Sequence, residues 1–139
     1  MGIGYIFNCQ KCGYEFEAFL GIGMAFEEDH IETLEKAREG KLGKKVQKFF
    51  LEHPNADIDS SYVFAQCPKC GKHETVQNLS MYVPKGEKYG LFIRYEHKCK
   101  DCGEPLEIIA AKDISEQTAK IKCPHCKSAL VGFPGILWD

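Results

Sequence analysis

All eight cysteines of this 139-residue chain fall in four C-x-x-C units: Cys9-Gln10-Lys11-Cys12, Cys67-Pro68-Lys69-Cys70, Cys99-Lys100-Asp101-Cys102 and Cys123-Pro124-His125-Cys126. A two-residue spacer lets one tight turn aim two thiolates at a single ion, and two such turns complete the tetrahedral sulfur shell that zinc accepts. Eight ligands in four pairs therefore predict two closed sites, two zinc ions per chain, with no cysteine left over. Three units run on into glycine, at Gly13, Gly71 and Gly103, which suits a backbone that turns sharply beside a metal. Lys127 stands in that place in the fourth. Local redox pairs are the rival reading, but a thioredoxin-like C-x-x-C sits near a βαβ pattern, and none surrounds these motifs.

The gaps between units are 54, 28 and 20 residues. Joining first with second and third with fourth closes loops of 54 and 20; joining second with third and first with fourth closes 28 and 110. Loop-closure entropy favours the sequential scheme by only ~1 kcal/mol. The run Cys9-x-x-Cys12-Gly13-Tyr14-x-Phe16, followed by Cys67-Pro68-x-Cys70-Gly71, resembles the two knuckles of the rubredoxin and zinc-ribbon superfamily. The third and fourth units resemble an ordinary zinc ribbon, and the whole chain is similar to small uncharacterised bacterial zinc-ribbon proteins. That resemblance implies a metal-bound ribbon fold and no particular activity. A tetrahedral sulfur site also accepts iron, and Tyr14 and Phe16 resemble the aromatic packing beside a rubredoxin centre. Electron transfer at Cys9, Cys12, Cys67 and Cys70 is thus a second hypothesis. The 54 residues between the first two knuckles depart from a plain rubredoxin.

Other chemistry is sparse. His30-Ile31-Glu32 matches the H-x-E of zinc deaminases, but their P-C-x-x-C partner is missing, so His30 reads as an exposed helix residue. His125 lies between two ligands and His97 two residues before a third, yet a full cysteine complement leaves neither needed. His53 and His73 read as helix-end and turn residues. Hydrolytic zinc needs an open coordination position, and eight thiolates in two sites leave none. A zinc-ribbon transcript-cleavage factor would by resemblance carry an adjacent Asp-Glu pair at a hairpin tip; segments 84–90 and 103–122 have none. The chain is therefore expected not to be an enzyme.

The knuckles need elements to hold them. Tyr5-Ile6-Phe7 and the alternating run Tyr14–Ala18 read as strands flanking the first knuckle. The stretch 27–39 reads as a helix with Ile31, Leu34 and Arg38 on one face and acids in its first turn. Lys44–Glu52 reads as a second, with Leu42, Val46, Phe49 and Phe50 as its stripe and Pro54 beyond its end. Tyr62–Ala65 enters the second knuckle as a strand. Residues 76–83 and 91–97 read as a hairpin about Pro84–Gly90. Short strands at 106–111, 119–122 and 130–133 serve the last two knuckles. The fold class expected is a small metal-bound α+β protein of two four-cysteine zinc ribbons built from short antiparallel strands. Residues 1–85 form the N-terminal ribbon, with a helical insertion at about 24–53, and 86–139 the C-terminal ribbon. Neither half buries a large core, so metal acts as a staple.

Charge narrows the partners. Lys and Arg number 18 against 20 Asp and Glu, a net of −2, and two zinc tetrathiolate centres would take this to −6. The basic footprint of a nucleic-acid binder is confined to residues 82–100, where Lys85, Lys88, Arg94, Lys98 and Lys100 lie among Tyr82, Tyr89, Phe92 and Tyr95. A protein partner is the first expectation, with nucleic acid through 82–100 the alternative; Trp138 is either packed or an interface anchor. The longest mostly apolar run, Ala18–Phe26, has nine residues, against about 20 for a membrane span. Lys11 is the first cation, so no secretory signal is visible. A reducing cytoplasm is accordingly the expected compartment.

Overall fold

A computed structural model describes residues 2–23, 26–86 and 88–138, with the side chains of residues 88, 89, 136 and 138 outside the description. The packing of the Trp138 indole thus lies outside the described residues. In chain order the elements are β1 (Gly2–Asn8), β2 (Glu15–Gly21), α1 (Phe26–Arg38), α2 (Lys44–Glu52), β3 (Asp57–Ile58), β4 (Tyr62–Gln66) and β5 (His73–Gln77). They continue with β6 (Met81–Lys85), β7 (Lys88–Ile93), β8 (Glu107–Ile109), α3 (Ala111–Ser115), β9 (Ile121–Lys122) and β10 (Ala129–Trp138). The fold is α+β with mainly antiparallel strands. Among the described residues no helix is long and apolar enough to cross a membrane.

The chain divides into two compact units, each discontinuous in sequence. The first comprises Met1–Gly23, Tyr62–Val76 and Glu96–Asp139; the second comprises Met24–Ser61 and Gln77–Tyr95. The expected boundary after residue 85 does not fall between them. It would cut the β6–β7 hairpin, where Pro84 pairs with Tyr89 and Lys85 with Lys88. The helices are only half of the insertion, because the hairpin belongs to the same unit.

In the first unit, β1 is the spine. It pairs antiparallel with β2 on one side and with β10 on the other, and the strand order is β5-β4-β2-β1-β10-β9, with β8 on β4. Opposed residues share a face, so the pairs Tyr5↔Ala18 and Phe7↔Phe16 place four side chains on one side of the ladder. Phe7, Phe16 and Phe64 form a triangle of near-parallel rings, Phe7 lying 4.7 Å from Phe16 and 4.9 Å from Phe64 and the latter two 6.1 Å from each other. Ile114 of α3, Ile121 and Leu130 complete this core, and Cys9 and Cys123 are part of it. Ten-residue β10 is far longer than the strand expected at 130–133, and from Val131 to Trp138 it lies against β1.

In the second unit, α2 buries Val46, Phe49 and Phe50, the stripe its spacing predicts. They pack with Ala37, Ile58, Leu79 and Met81 over the sheet β3-β6-β7. Helix α1 presents a different face from the one expected: Ile31 is 58% exposed, whereas Thr33 and Ala37 are buried. Thr33 satisfies its hydroxyl on the Asp29 carbonyl (2.7 Å), which lets a polar residue occupy the inner face. The expected 76–83 strand breaks at Leu79, whose φ of 62° interrupts the extended backbone between β5 and β6.

Candidate metal centre

Each C-x-x-C unit forms the same turn. The N–H of the first cysteine donates to the carbonyl five residues on: Cys9 to Tyr14, Cys67 to Lys72, Cys99 to Glu104 and Cys123 to Ser128, at 2.7–2.8 Å. Its carbonyl accepts from the N–H four residues on, from Gly13, Gly71, Gly103 or Lys127, at 2.8–3.0 Å. That fourth residue is left-handed every time, with φ of 79°, 81°, 73° and 65°. Glycine adopts this conformation without penalty, which is the physical reason for the C-x-x-C-G pattern. The first cysteine of each unit points into the protein, at 0–3% exposure, and the second lies nearer solvent.

The turns gather into two quartets, Cys9, Cys12, Cys123, Cys126 and Cys67, Cys70, Cys99, Cys102, with all four sulfurs of each within 4.8 Å of one another. This overturns the sequential expectation: first joins fourth and second joins third, so one site is nested inside the other along the chain. The site assumed for iron, Cys9 and Cys12 with Cys67 and Cys70, is not assembled. The reason is β10. Its seven residue pairs with β1 carry the fourth knuckle to the first, and ladder hydrogen bonds at about 0.5–1.5 kcal/mol each outweigh a loop-entropy preference of ~1 kcal/mol.

The donor set fits a tetrahedral ion. Zinc held at about 2.3 Å by each sulfur gives tetrahedron edges of roughly 3.8 Å. Here Cys9 and Cys126 sulfurs are 3.4 Å apart, Cys12 and Cys123 3.6 Å, Cys67 and Cys102 3.3 Å, Cys70 and Cys99 3.6 Å, and Cys70 and Cys102 4.0 Å. These spacings are far beyond a disulfide bond of about 2.05 Å. Among the described residues no histidine or carboxylate joins either quartet. The electrostatics are those of packed thiols. Backbone N–H groups, that of Cys70 foremost, bring Cys67 down to about 6. The Ser128 N–H and hydroxyl bring Cys126 down to about 6. Cys12 is drawn down by a hydrogen bond at Tyr14, but burial and the Cys123, Cys9 and Cys126 sulfurs outweigh it and push it up to about 12. Cys102 is likewise lowered at Glu104 and then driven to about 12 by Cys67 and its other neighbours. A cation entering either quartet would release whatever protons its thiols carry.

Three contacts tie one quartet's surroundings to the other's. Gln66, just before Cys67, is buried; its carboxamide donates to the carbonyls of Gly71 (2.9 Å) and Lys122 (2.6 Å) and accepts from the Lys122 N–H (3.1 Å). Lys127 Nζ donates to the carbonyls of Cys70 and Pro124. The Tyr14 hydroxyl meets His73 Nε2 at 3.0 Å, and His73 stacks on Phe16 at 3.8 Å. His73 is therefore the start of β5 and part of the site's packing rather than a bare turn residue, and burial lowers its pKa.

The remaining candidates stand elsewhere. His125 packs its ring on Tyr14, at 4.4 Å. His97 lies outside both quartets, and His53 caps the end of α2. His30 is not an exposed helix residue: it bridges Asp57 Oδ1 (2.8 Å, from Nε2) and Ser60 Oγ (3.0 Å, from Nδ1) within the second unit. This Asp–His–Ser relay lacks an accessible nucleophile, because Ser60 is 1% exposed. The basic segment 82–100 is divided, with Lys85, Lys88 and Arg94 in the second unit and Lys98 and Lys100 in the first; side chains of Lys88 and Tyr89 lie outside the described residues. Comparison with models of protein families, with curated proteins and with solved structures gives no match.

Proposed function

We propose that the chain is a zinc protein with two structural four-cysteine sites, acting as a protein-interaction or scaffolding module in a reducing cytoplasm and not as an enzyme. The observation that carries this reading is the closure of each quartet by four cysteine sulfurs, with no further donor among the described residues. A closed tetrahedral sulfur shell is the form of a structural zinc site, whereas catalytic zinc keeps one position for water or substrate. Placing Cys9 and Cys123 in the core of the first unit ties metal binding to folding. Exposed apolar side chains support a surface role: Ile3, Phe133 and Leu137 in the first unit, and Leu91, Phe92 and Ile93 in the second. Free cysteines in all eight positions suit a reducing compartment. Elemental analysis of protein purified without added metal, read beside its visible spectrum, tests the reading. Two zincs per chain and no colour are expected; iron with a sulfur-to-metal charge-transfer band, or much less than two metals, would overturn it.

A further inference from the structure

The fourth knuckle breaks the rule of the other three. Lys127 sits where they have glycine, at a φ of 65°, a conformation that a side chain with a Cβ disfavours. Its ammonium does not serve its own turn alone. It reaches the Cys70 carbonyl in the knuckle of the other quartet while staying within reach of the Pro124 carbonyl in its own. The two turns are in contact there, since a Cβ on Gly71 would lie 2.9 Å from Lys127 Nζ and 3.7 Å from Pro124 Cα.

Gln66 makes the matching link one residue ahead of the ligands. It precedes Cys67, and its carboxamide pairs with both backbone groups of Lys122, the residue preceding Cys123. A third bond, to the Gly71 carbonyl, holds the same side chain to its own knuckle. The entrance to one site is thereby fixed against the entrance to the other by a buried amide with all three bonds satisfied.

We propose that Gln66 and Lys127 are positioning residues that couple the two quartets, so that filling either site raises the metal affinity of the other. The inference rests on the reading of each quartet as a metal site and adds that the sites act as one. An ion that orders one knuckle also fixes the groups to which the neighbouring knuckle is bonded through Gln66 and Lys127, so the second quartet has less ordering left to do when its own ion binds. Chain connectivity cannot supply the effect: closing the inner loop shortens the 110-residue outer one enough to change its closure less than about twofold. Coupling through contacts is reciprocal, and it would make the first unit load its metal over a narrow range of free zinc.

The test is a competition titration with Co²⁺ and then Zn²⁺ on the full chain. Cys99→Ser/Cys102→Ser leaves only the outer quartet, and Cys123→Ser/Cys126→Ser only the inner. The two-metal binding constant of the native chain is expected to exceed the product of the two single-site constants by about tenfold or more. In Gln66→Ala and in Lys127→Gly that excess should fall towards one. Lys127→Gly restores the residue found in the other three knuckles, so a purely local role predicts unchanged coupling and an outer site that binds as well or better. Should a single-site variant fail to fold, native mass spectrometry of the native and Lys127→Gly chains at one equivalent of Zn²⁺ gives the same reading. Coupling depletes the one-metal form, and the substitution restores it. A native constant equal to the product, or an excess untouched by both substitutions, would overturn the proposal. Absence of any thiolate–cobalt charge-transfer band would instead overturn the metal reading beneath it.

Discussion

His73 shows at the scale of one residue how the site's surroundings respond to pH. Its ring is held between Phe16 and the Tyr14 hydroxyl, and burial disfavours the charged imidazolium, lowering its pKa below 6.5. The unfolded chain then binds the proton more readily. The stability that neutral His73 contributes is fully present above about pH 6.5 and is lost as pH falls through the lower folded value. An NMR titration of the metal-loaded protein should place the ring's midpoint below 6.5, and His73→Phe should shrink the loss of stability between about pH 7.5 and 5.5. A midpoint above 6.5 would contradict this. A second residue-scale test uses Tyr14→Phe, which removes the hydroxyl and leaves a half-buried imidazole nitrogen without that partner. Denaturant unfolding should show a loss of about 1 kcal/mol, and an unchanged midpoint would mean that the bond carries no net stability.

Among the elements, β10 decides the architecture, and it does so through a glycine. A Cβ on Gly132 would come 2.6 Å from Phe7 Cε1 and 3.0 Å from Ile114 Cγ2. Gly132→Ala should therefore destabilise the metal-loaded protein by about 1–3 kcal/mol through overpacking. Denaturant unfolding measures it, and a change within about 0.5 kcal/mol would show that the core yields there. Some elements were plain in the sequence for physical reasons. The strand after the first knuckle announced itself by alternation, and α2 by apolar residues at helical spacing that meet a real core. The inner face of α1 did not, because buried Thr33 is made tolerable by a hydrogen bond to Asp29 that no hydropathy pattern records. The strand expected at 130–133 runs on through Pro134 and Gly135, which lie inside β10 beside a shift in its register with β1.

For the whole molecule, the pairwise units of cysteine were legible in the sequence and the way the units combine into quartets was not. Four C-x-x-C units name eight thiols without further help, whereas which turns meet is set by a ladder joining residues 2–8 to 131–138. A loop-entropy difference of ~1 kcal/mol could not foretell it. The same ladder explains why cutting the sequence in two misplaces the units. Because both cysteine quartets belong to the first unit, damage to the second should spare them. Phe49→Ala removes a buried ring from the second unit's core, at a cost of about 3–5 kcal/mol, yet elemental analysis should still find both metals; their loss would show that the sites depend on the second unit. The central claim is the nested pairing itself, and cadmium-113 substitution reads it directly. In a proton–cadmium correlation spectrum, one cadmium should couple to the β-protons of Cys9, Cys12, Cys123 and Cys126 and the other to those of Cys67, Cys70, Cys99 and Cys102. A single cadmium coupled to Cys9, Cys12, Cys67 and Cys70 would contradict the account.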